Sequence, residues 1–281
     1  MTDTKQVLGG LSAQQFLSEY WQKKPLLIRG ALPDWSNPVE PDELAGLSLE
    51  NEVESRLVLE HGASPWEVRH GPFSESTFAE LPASGWTLLV QALDLWVPEV
   101  ASLLDHFDFL PRWRLDDVMA SFAVPGGSVG PHFDQYDVFL LQVEGQRRWR
   151  IGTLCDDTTP LLADSELKIL EAFTPKDEWL LQPGDMLYLP PLVSHWGIAE
   201  SECLTYSIGF RSPSVADMLA DLTEQLLEAG RTDIYQDPPL DPSMARTDID
   251  ARFVAQAKKQ LIELINDDQL VGDWLARFMT A

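Results

Sequence analysis

His132 and Asp134 stand two residues apart in Pro131-His132-Phe133-Asp134-Gln135-Tyr136-Asp137, which leads into the apolar run Val138-Phe139-Leu140-Leu141. Side chains of a strand repeat every two residues, so an extended segment would point this imidazole and this carboxylate to one face. A second imidazole is offered by His195, which follows a Pro-Gly-Asp turn, a strand-like run and two prolines within residues 183–195. Two neutral imidazoles and one carboxylate on one side of a metal leave the opposite positions open, as in the facial triad of non-haem Fe(II) oxygenases. The residues thus point to oxygen chemistry at a metal held by His132, Asp134 and His195. With five histidines in an acidic chain, a His-x-Asp pair can also arise by chance, so further residues must support the reading.

Arg147 is the first of them. Glu144-Gly145-Gln146 reads as the turn of a hairpin, after which alternation places Arg147, Trp149 and Ile151 on one face and Arg148 and Arg150 on the other. An arginine that shares a face with Trp and Ile points inward, and a buried guanidinium needs an anion that matches its fork. A 2-oxo dicarboxylate such as 2-oxoglutarate would chelate iron at one end and bring its far carboxylate to Arg147. The competing reading is an ion pair with an internal Asp or Glu. In the strand expected over residues 114–127, Asp117, Met119, Ser121 and Ala123 share one parity, and Ser121 offers a hydroxyl to the same carboxylate.

The stretches FLSEYWQKKPLLIRG (16–30), PDELAGL (41–47), ESRLV (54–58), WTLLVQALDLW (86–96), WRLDDVMASFAVPGG (113–127), PHFDQYDVFLLQVEGQRRWRIG (131–152), PGDMLYLPPLVSHWG (183–197) and TYSIGFRSP (205–213) carry a resemblance. The sequence resembles the JmjC-type 2-oxoglutarate oxygenases and, among them, the bacterial ribosomal oxygenases that hydroxylate an arginine of a large-subunit ribosomal protein. The likeness covers nearly all of residues 12–213. It implies His132, Asp134 and His195 as ligands of Fe(II), Arg147 with Ser121 as anchors of 2-oxoglutarate, and dioxygen as the second co-substrate. The spacing fits the family, with Arg147 and His195 lying 15 and 63 positions after His132. One departure stands out: the family usually continues into a winged-helix domain, and too little chain follows residue 270 to build one. The chain is then either truncated or a natural form without that domain, and activity would be weak if that domain helps hold the substrate.

On the substrate side, Asp117 shares a strand face with Met119 and Ser121, about 13 Å from Ser121 at the usual rise. Tyr136 continues the parity of His132 and Asp134, and Ser207 lies in a strand shortly after His195. A carboxylate flanked by Met119 and Tyr136 describes a slot for a long cationic side chain. Arginine suits it better than lysine, because its planar fork takes a carboxylate bidentately and its stem lies against a ring. Asp116 and Asp137 are alternatives to Asp117, which would otherwise be solvated or cap a turn.

These residues need a frame. Ser12 with Gln15 at capping-box spacing, followed by Phe16, Leu17 and Tyr20, predicts a helix over 12–22; Lys23-Lys24-Pro25 breaks it before a buried strand Leu26-Leu27-Ile28. A second helix starts at Pro41-Asp42-Glu43, and from Glu54 short strands alternate with turn signals at Gly62, Gly71-Pro72 and Gly85. This pattern predicts a mainly β fold with helices, a double-stranded β-helix or jelly roll of the cupin and JmjC type over residues 1–212. Over 213–281 the periodicity turns helical: Ser214 caps a helix closed by Gly230, a Pro-rich linker spans 238–242, a helix covers about 248–265, and a third piece ends in Trp274, Leu275 and Phe278. Such amphipathic helices predict a homodimer, which the resemblance also implies; a lid packed on its own barrel is the alternative.

The chain has 281 residues, 45 acids against 20 bases, a formal charge of −25 and a pI near 4.3. Such acidity argues against direct binding of nucleic acid and suits a basic protein partner, such as a ribosomal protein rich in Lys and Arg. No apolar run reaches about 18 residues and the N-terminus has no signal-like pattern, so the expectation is a cytoplasmic protein without membrane contact. Cys155 and Cys203 read as plain thiols, and His61, His70 and His106 as surface or packing residues. The tryptophans are expected mostly in the core, with Trp196 shaping the pocket mouth. Rival readings are a JmjC-type demethylase or histidine hydroxylase, a cupin-like metalloenzyme without 2-oxoglutarate, and a non-catalytic binder of basic proteins.

Overall fold

Helix α1 (Ala13–Glu19) begins where its cap predicts: Ser12 Oγ accepts the Gln15 N–H at 3.2 Å, and Gln15 Oε1 accepts the Ser12 N–H at 3.1 Å. The computed structural model describes residues 7–33, 35–60, 66–163, 165–231, 234–241 and 248–280, so the features expected at His61, Gly62 and Pro242 lie outside the described residues. Strand β1 (Leu26–Ile28) and helix α2 (Pro41–Leu47) follow, the latter with proline in its first turn, where a missing N–H costs nothing. Next come β2 (Ser55–Leu59), β3 (Glu67–His70), β4 (Trp86–Val90) and β5 (Leu115–Ala123), interrupted by the short helices α3 (Glu75–Ala79) and α4 (Pro98–Ala101). Strands β6 (Val138–Glu144), β7 (Arg147–Leu154), β8 (Asp177–Leu181), β9 (Met186–Leu189), β10 (Val193–Ala199) and β11 (Cys203–Phe210) complete the set.

An eight-stranded antiparallel sheet runs in the order β1-β9-β6-β11-β5-β4-β2-β3, and a three-stranded sheet in the order β10-β7-β8. This is the jelly roll expected from the sequence. Two details differ. The strand expected over 114–127 stops at Ala123, and Glu144-Gly145-Gln146 is not a hairpin turn: β6 and β7 belong to different sheets. Gly145, at φ +62, carries the chain across, and a Cβ there would lie 1.9 Å from the Glu202 carbonyl oxygen. Alternation survives the crossing, so Arg147, Trp149 and Ile151 are buried while Arg148 and Arg150 pair with Glu178 on the outer side.

The large sheet buries both faces. Phe139 and Leu141 of β6, with Leu204, Tyr206, Ile208 and Phe210 of β11, pack with Phe16 and Leu44 of the helices. Val138 and Leu140 turn the other way and pack with Trp149, Ile151, Leu181 and Val193 of the small sheet. Between the sheets β5 and β11 contribute Met119, Ser121 and Ser207, smaller or more polar than the aliphatics of β6, and there the core opens into a cavity. Trp149 and Trp274 are buried, and Trp21, Trp35, Trp86 and Trp179 pack against the core while keeping part of their surface, as rings of this size rarely lose all of it.

The chain divides into two compact units, Met1–Ser212 and Pro213–Ala281. In the second, Ser214 Oγ accepts the Asp217 N–H at 3.0 Å to start α5 (Val215–Glu228), and Gly230 follows its end at φ +64. Helix α6 (Ala251–Ile265) starts three residues later than predicted because Asp250 supplies its cap, and α7 (Asp268–Phe278) is capped by Asp267. Trp274 Nε1 donates to Asp221 Oδ1 at 2.7 Å, joining α7 to α5.

Candidate metal and co-substrate site

His132 lies outside the named strands, in an isolated antiparallel bridge with His195, and Asp134 follows in irregular chain. The strand predicted to carry the pair begins only at Val138. Convergence therefore comes from the bridge, in which His132 N donates to His195 O at 3.0 Å and His195 N to His132 O at 2.8 Å. One possible ligand atom from each of His132, Asp134 and His195 falls within 4.8 Å of the other two, and His195 Nε2 is 3.5 Å from Asp134 Oδ2.

Each ring is oriented from behind. His132 Nδ1 lies 2.9 Å from the Gly130 carbonyl and His195 Nδ1 2.9 Å from that of Val193. Carbonyls can only accept, so both Nδ1 atoms carry the proton and both Nε2 atoms present lone pairs. Burial pushes His195 down to about 4, with the neighbouring His132 acting in the same direction. Neutral imidazoles beside one carboxylate fit a divalent cation with open positions opposite.

Deeper in the cavity, Arg147 is 4% exposed and Ser121 is equally buried. Arg147 Nη1 donates to Ser121 Oγ at 3.0 Å, while Nε has no partner among the described residues. Among the described residues no carboxylate pairs with the guanidinium, so the internal ion pair weighed above does not form. A buried cation with spare donors fits a carboxylate-bearing ligand.

The cavity has a volume of about 260 Å³ and is lined by all three candidate metal ligands, Arg147, Ser121, Met119, Tyr136 and Ser207. Asp117 does not line it. Its Oδ2 accepts from Gln91 Nε2 at 2.5 Å and from Ala92 N at 2.9 Å, and burial pushes its carboxyl up. Gln91 itself does line the cavity. The alternative acids are committed elsewhere: Asp116 pairs with Arg211, and Asp137 is buried against Tyr188, Gln22 and Arg114. Trp196, expected at the mouth, is not in the lining and donates to Ser128 Oγ at 2.8 Å. Arg56, Gln91, Leu167 and Lys168 line the cavity without having been singled out in the sequence. Arg56 and Gln91 lie within the matched stretches ESRLV and WTLLVQALDLW, which by themselves assign them no role, and Leu167 and Lys168 come from the loop before β8.

Residues 102–218 match the family described as the JmjC domain. The chain is 38% identical over 272 residues to ribosomal protein uL16 3-hydroxylase of Escherichia coli, covering 96% of this chain and 72% of that protein. It is 37% identical over 273 residues to a probable ribosomal oxygenase of Haemophilus influenzae, covering 95% of this chain and 65% of that one. Among solved structures it matches the E. coli ribosomal oxygenase YcfD in complex with cobalt and 2-oxoglutarate, with a TM-score of 0.85, 37% identity and coverage of 96% of this chain and 71% of that one. Sequence, fold and domain match agree, and the chain belongs to the JmjC-domain ribosomal oxygenases.

Proposed function

We propose that this oxygenase is an Fe(II)- and 2-oxoglutarate-dependent hydroxylase of an arginine side chain in a large-subunit ribosomal protein, with uL16, named for the E. coli relative, as the first substrate to test. The observation that carries the proposal is the pairing, in one cavity, of three converging ligand atoms with a buried arginine that meets no carboxylate among the described residues. With iron bound, oxidative decarboxylation of 2-oxoglutarate gives succinate and carbon dioxide, one oxygen atom entering succinate and the other a substrate C–H bond.

The chain's own residues divide the remaining work. His132, Asp134 and His195 hold the metal from one side, and Arg147 with Ser121 fixes the far carboxylate of the co-substrate. The apolar walls Val138 and Leu140 exclude water from that end. Tyr136, 42% exposed, and Met119 offer flanks to an aliphatic stem, and Ser207 adds a hydroxyl opposite Met119 on the paired strand. Asp117, outside the cavity lining, bears on the substrate only by holding Gln91, which lines the cavity. A charge of −25 favours the approach of a basic protein rather than nucleic acid. Cytoplasmic location follows from such a substrate, and no described helix is long and apolar enough to cross a membrane.

The second unit supports self-association. Val254, Leu261, Ile262 and Ile265 of α6 and Val215, Leu219 and Leu227 of α5 are exposed, an apolar surface that a partner would cover. A second copy of the chain is the partner we assign to it.

The test combines anaerobically purified protein, Fe(II), 2-oxoglutarate, air and a pool of basic ribosomal proteins, read by mass spectrometry. A one-oxygen gain on an arginine is expected. Gain on histidine, loss of methyl groups, or no change without succinate would replace the reading with a histidine hydroxylase, a demethylase or a binding module respectively.

A further inference from the structure

The indole of Trp149 lies between the two halves of the site. Its ring centroid is 5.8 Å from that of His195 on one side and 5.8 Å from the guanidinium carbon of Arg147 on the other. It lines the same cavity, is 5% exposed, and its Nε1 is a buried donor with no acceptor among the described residues. Buried N–H groups are almost always paired, because losing water without gaining an acceptor is unfavourable. Arg147 Nε, two residues earlier on the same strand face, is likewise without a partner among the described residues, and an acceptor brought in by a ligand in this cavity would serve both donors.

The ring is held in place. Trp149 pairs with Gly197 across β7 and β10, and a Cβ at Gly197 would come within 2.7 Å of Trp149 Cη2. The benzo edge thus lies directly on bare backbone, and the ring cannot swing through β10. A rigid donor loses little freedom when it engages an acceptor. The bridge that brings His195 to His132 and the Trp149–Gly197 pair belong to the same strand, so metal and indole are positioned together.

We infer that Trp149 Nε1–H is a further hydrogen-bond donor of the co-substrate site, acting with Arg147 and Ser121 to select a 2-oxo dicarboxylate over a 2-oxo monocarboxylate of equal length. The inference rests on the co-substrate reading above. A carboxylate has about four acceptor sites, more than the free edge of Arg147 and the Ser121 hydroxyl satisfy, so a neutral third donor fits without adding charge. The guanidinium over the indole face also holds the cation where the carboxylate must meet it.

The experiment uses the full chain loaded with zinc and titrated calorimetrically with 2-oxoglutarate and with 2-oxopentanoate, which lacks the distal carboxylate. Trp149→Phe keeps a ring and removes the N–H. The expected result is unchanged zinc affinity, a loss of 2-oxoglutarate affinity of about ten- to a hundred-fold, and unchanged 2-oxopentanoate affinity. In the wild type, one indole ¹⁵N–¹H signal should move downfield with 2-oxoglutarate and stay still with 2-oxopentanoate, a readout that does not depend on the variant folding. Equal loss of both acids, no loss of either, or an indole signal indifferent to 2-oxoglutarate would overturn the role of the indole alone. A wild type that fails to discriminate the two acids would overturn the co-substrate reading itself.

Discussion

His132 and His195, 63 positions apart, exchange both backbone hydrogen bonds of an antiparallel bridge, with their ring centroids 4.3 Å apart. The two imidazoles are therefore positioned by each other's backbone as well as by the Gly130 and Val193 carbonyls behind them. Neither bridge hydrogen bond uses a side chain, so alanine at either position should leave the bridge in place and separate metal binding from folding.

Alanine at His132, Asp134 or His195 should abolish tight binding of Fe(II) and succinate release while circular dichroism stays that of the wild type. Each removes one of three protein ligands, whereas the core packs on apolar strands. Turnover retained by any of the three variants, with Fe(II) added, would remove that residue from the site.

Arg147→Ala should raise the 2-oxoglutarate requirement strongly and leave metal affinity nearly unchanged, since truncating one partner of a buried charge pair costs about 2–5 kcal/mol. Arg147→Lys should recover part of the loss. Steady-state kinetics against 2-oxoglutarate, with metal titrations alongside, decide the matter; an unfolded Ala variant with normal 2-oxoglutarate affinity in its folded fraction would mark a purely structural arginine.

Asp117→Asn should keep metal and 2-oxoglutarate affinities and lower hydroxylation of an arginine-bearing substrate by less than about tenfold, because the carboxylate lies outside the cavity lining and bears on the substrate only by holding Gln91. The Asn carbonyl can still accept from Gln91 and Ala92, so the fold around Ala92 should persist. Unchanged substrate kinetics would return Asp117 to the role of a turn cap.

Gly145→Ala should lower the melting temperature markedly. The left-handed backbone alone costs about 1–2 kcal/mol for a residue with a side chain, and the added methyl would meet the Glu202 carbonyl at 1.9 Å. Thermal unfolding followed by circular dichroism checks this, and a wild-type transition would show that the crossing between sheets can relax.

Leu261→Glu combined with Ile265→Glu should convert an associating chain into a monomer with an unchanged metal site, because both side chains are exposed on α6, far in sequence from the catalytic residues. Light scattering after size-exclusion chromatography gives the answer; a wild type that is monomeric at micromolar concentration would remove the dimer.

Local rules are written in nearby residues, and these were readable from the sequence. The Ser12–Gln15 cap, the cap at Ser214, the proline start at Pro41 and the period-two face of Arg147, Trp149 and Ile151 each depend on a few neighbours in the chain. The choice of His132, Asp134 and His195 as metal ligands rested on chemistry and resemblance, but the strand geometry invoked for it was wrong, because a cross-chain bridge and not strand parity brings the groups together. Only the tertiary structure decided what sequence spacing cannot carry: that Gly145 sends the chain to the other sheet, that Asp117 is tied to Gln91, and that Arg56, Leu167 and Lys168 reach the cavity wall. The physical reason is that pairing between distant segments depends on which buried faces fit one another, and a sheet sets that fit by register across strands rather than by order along them.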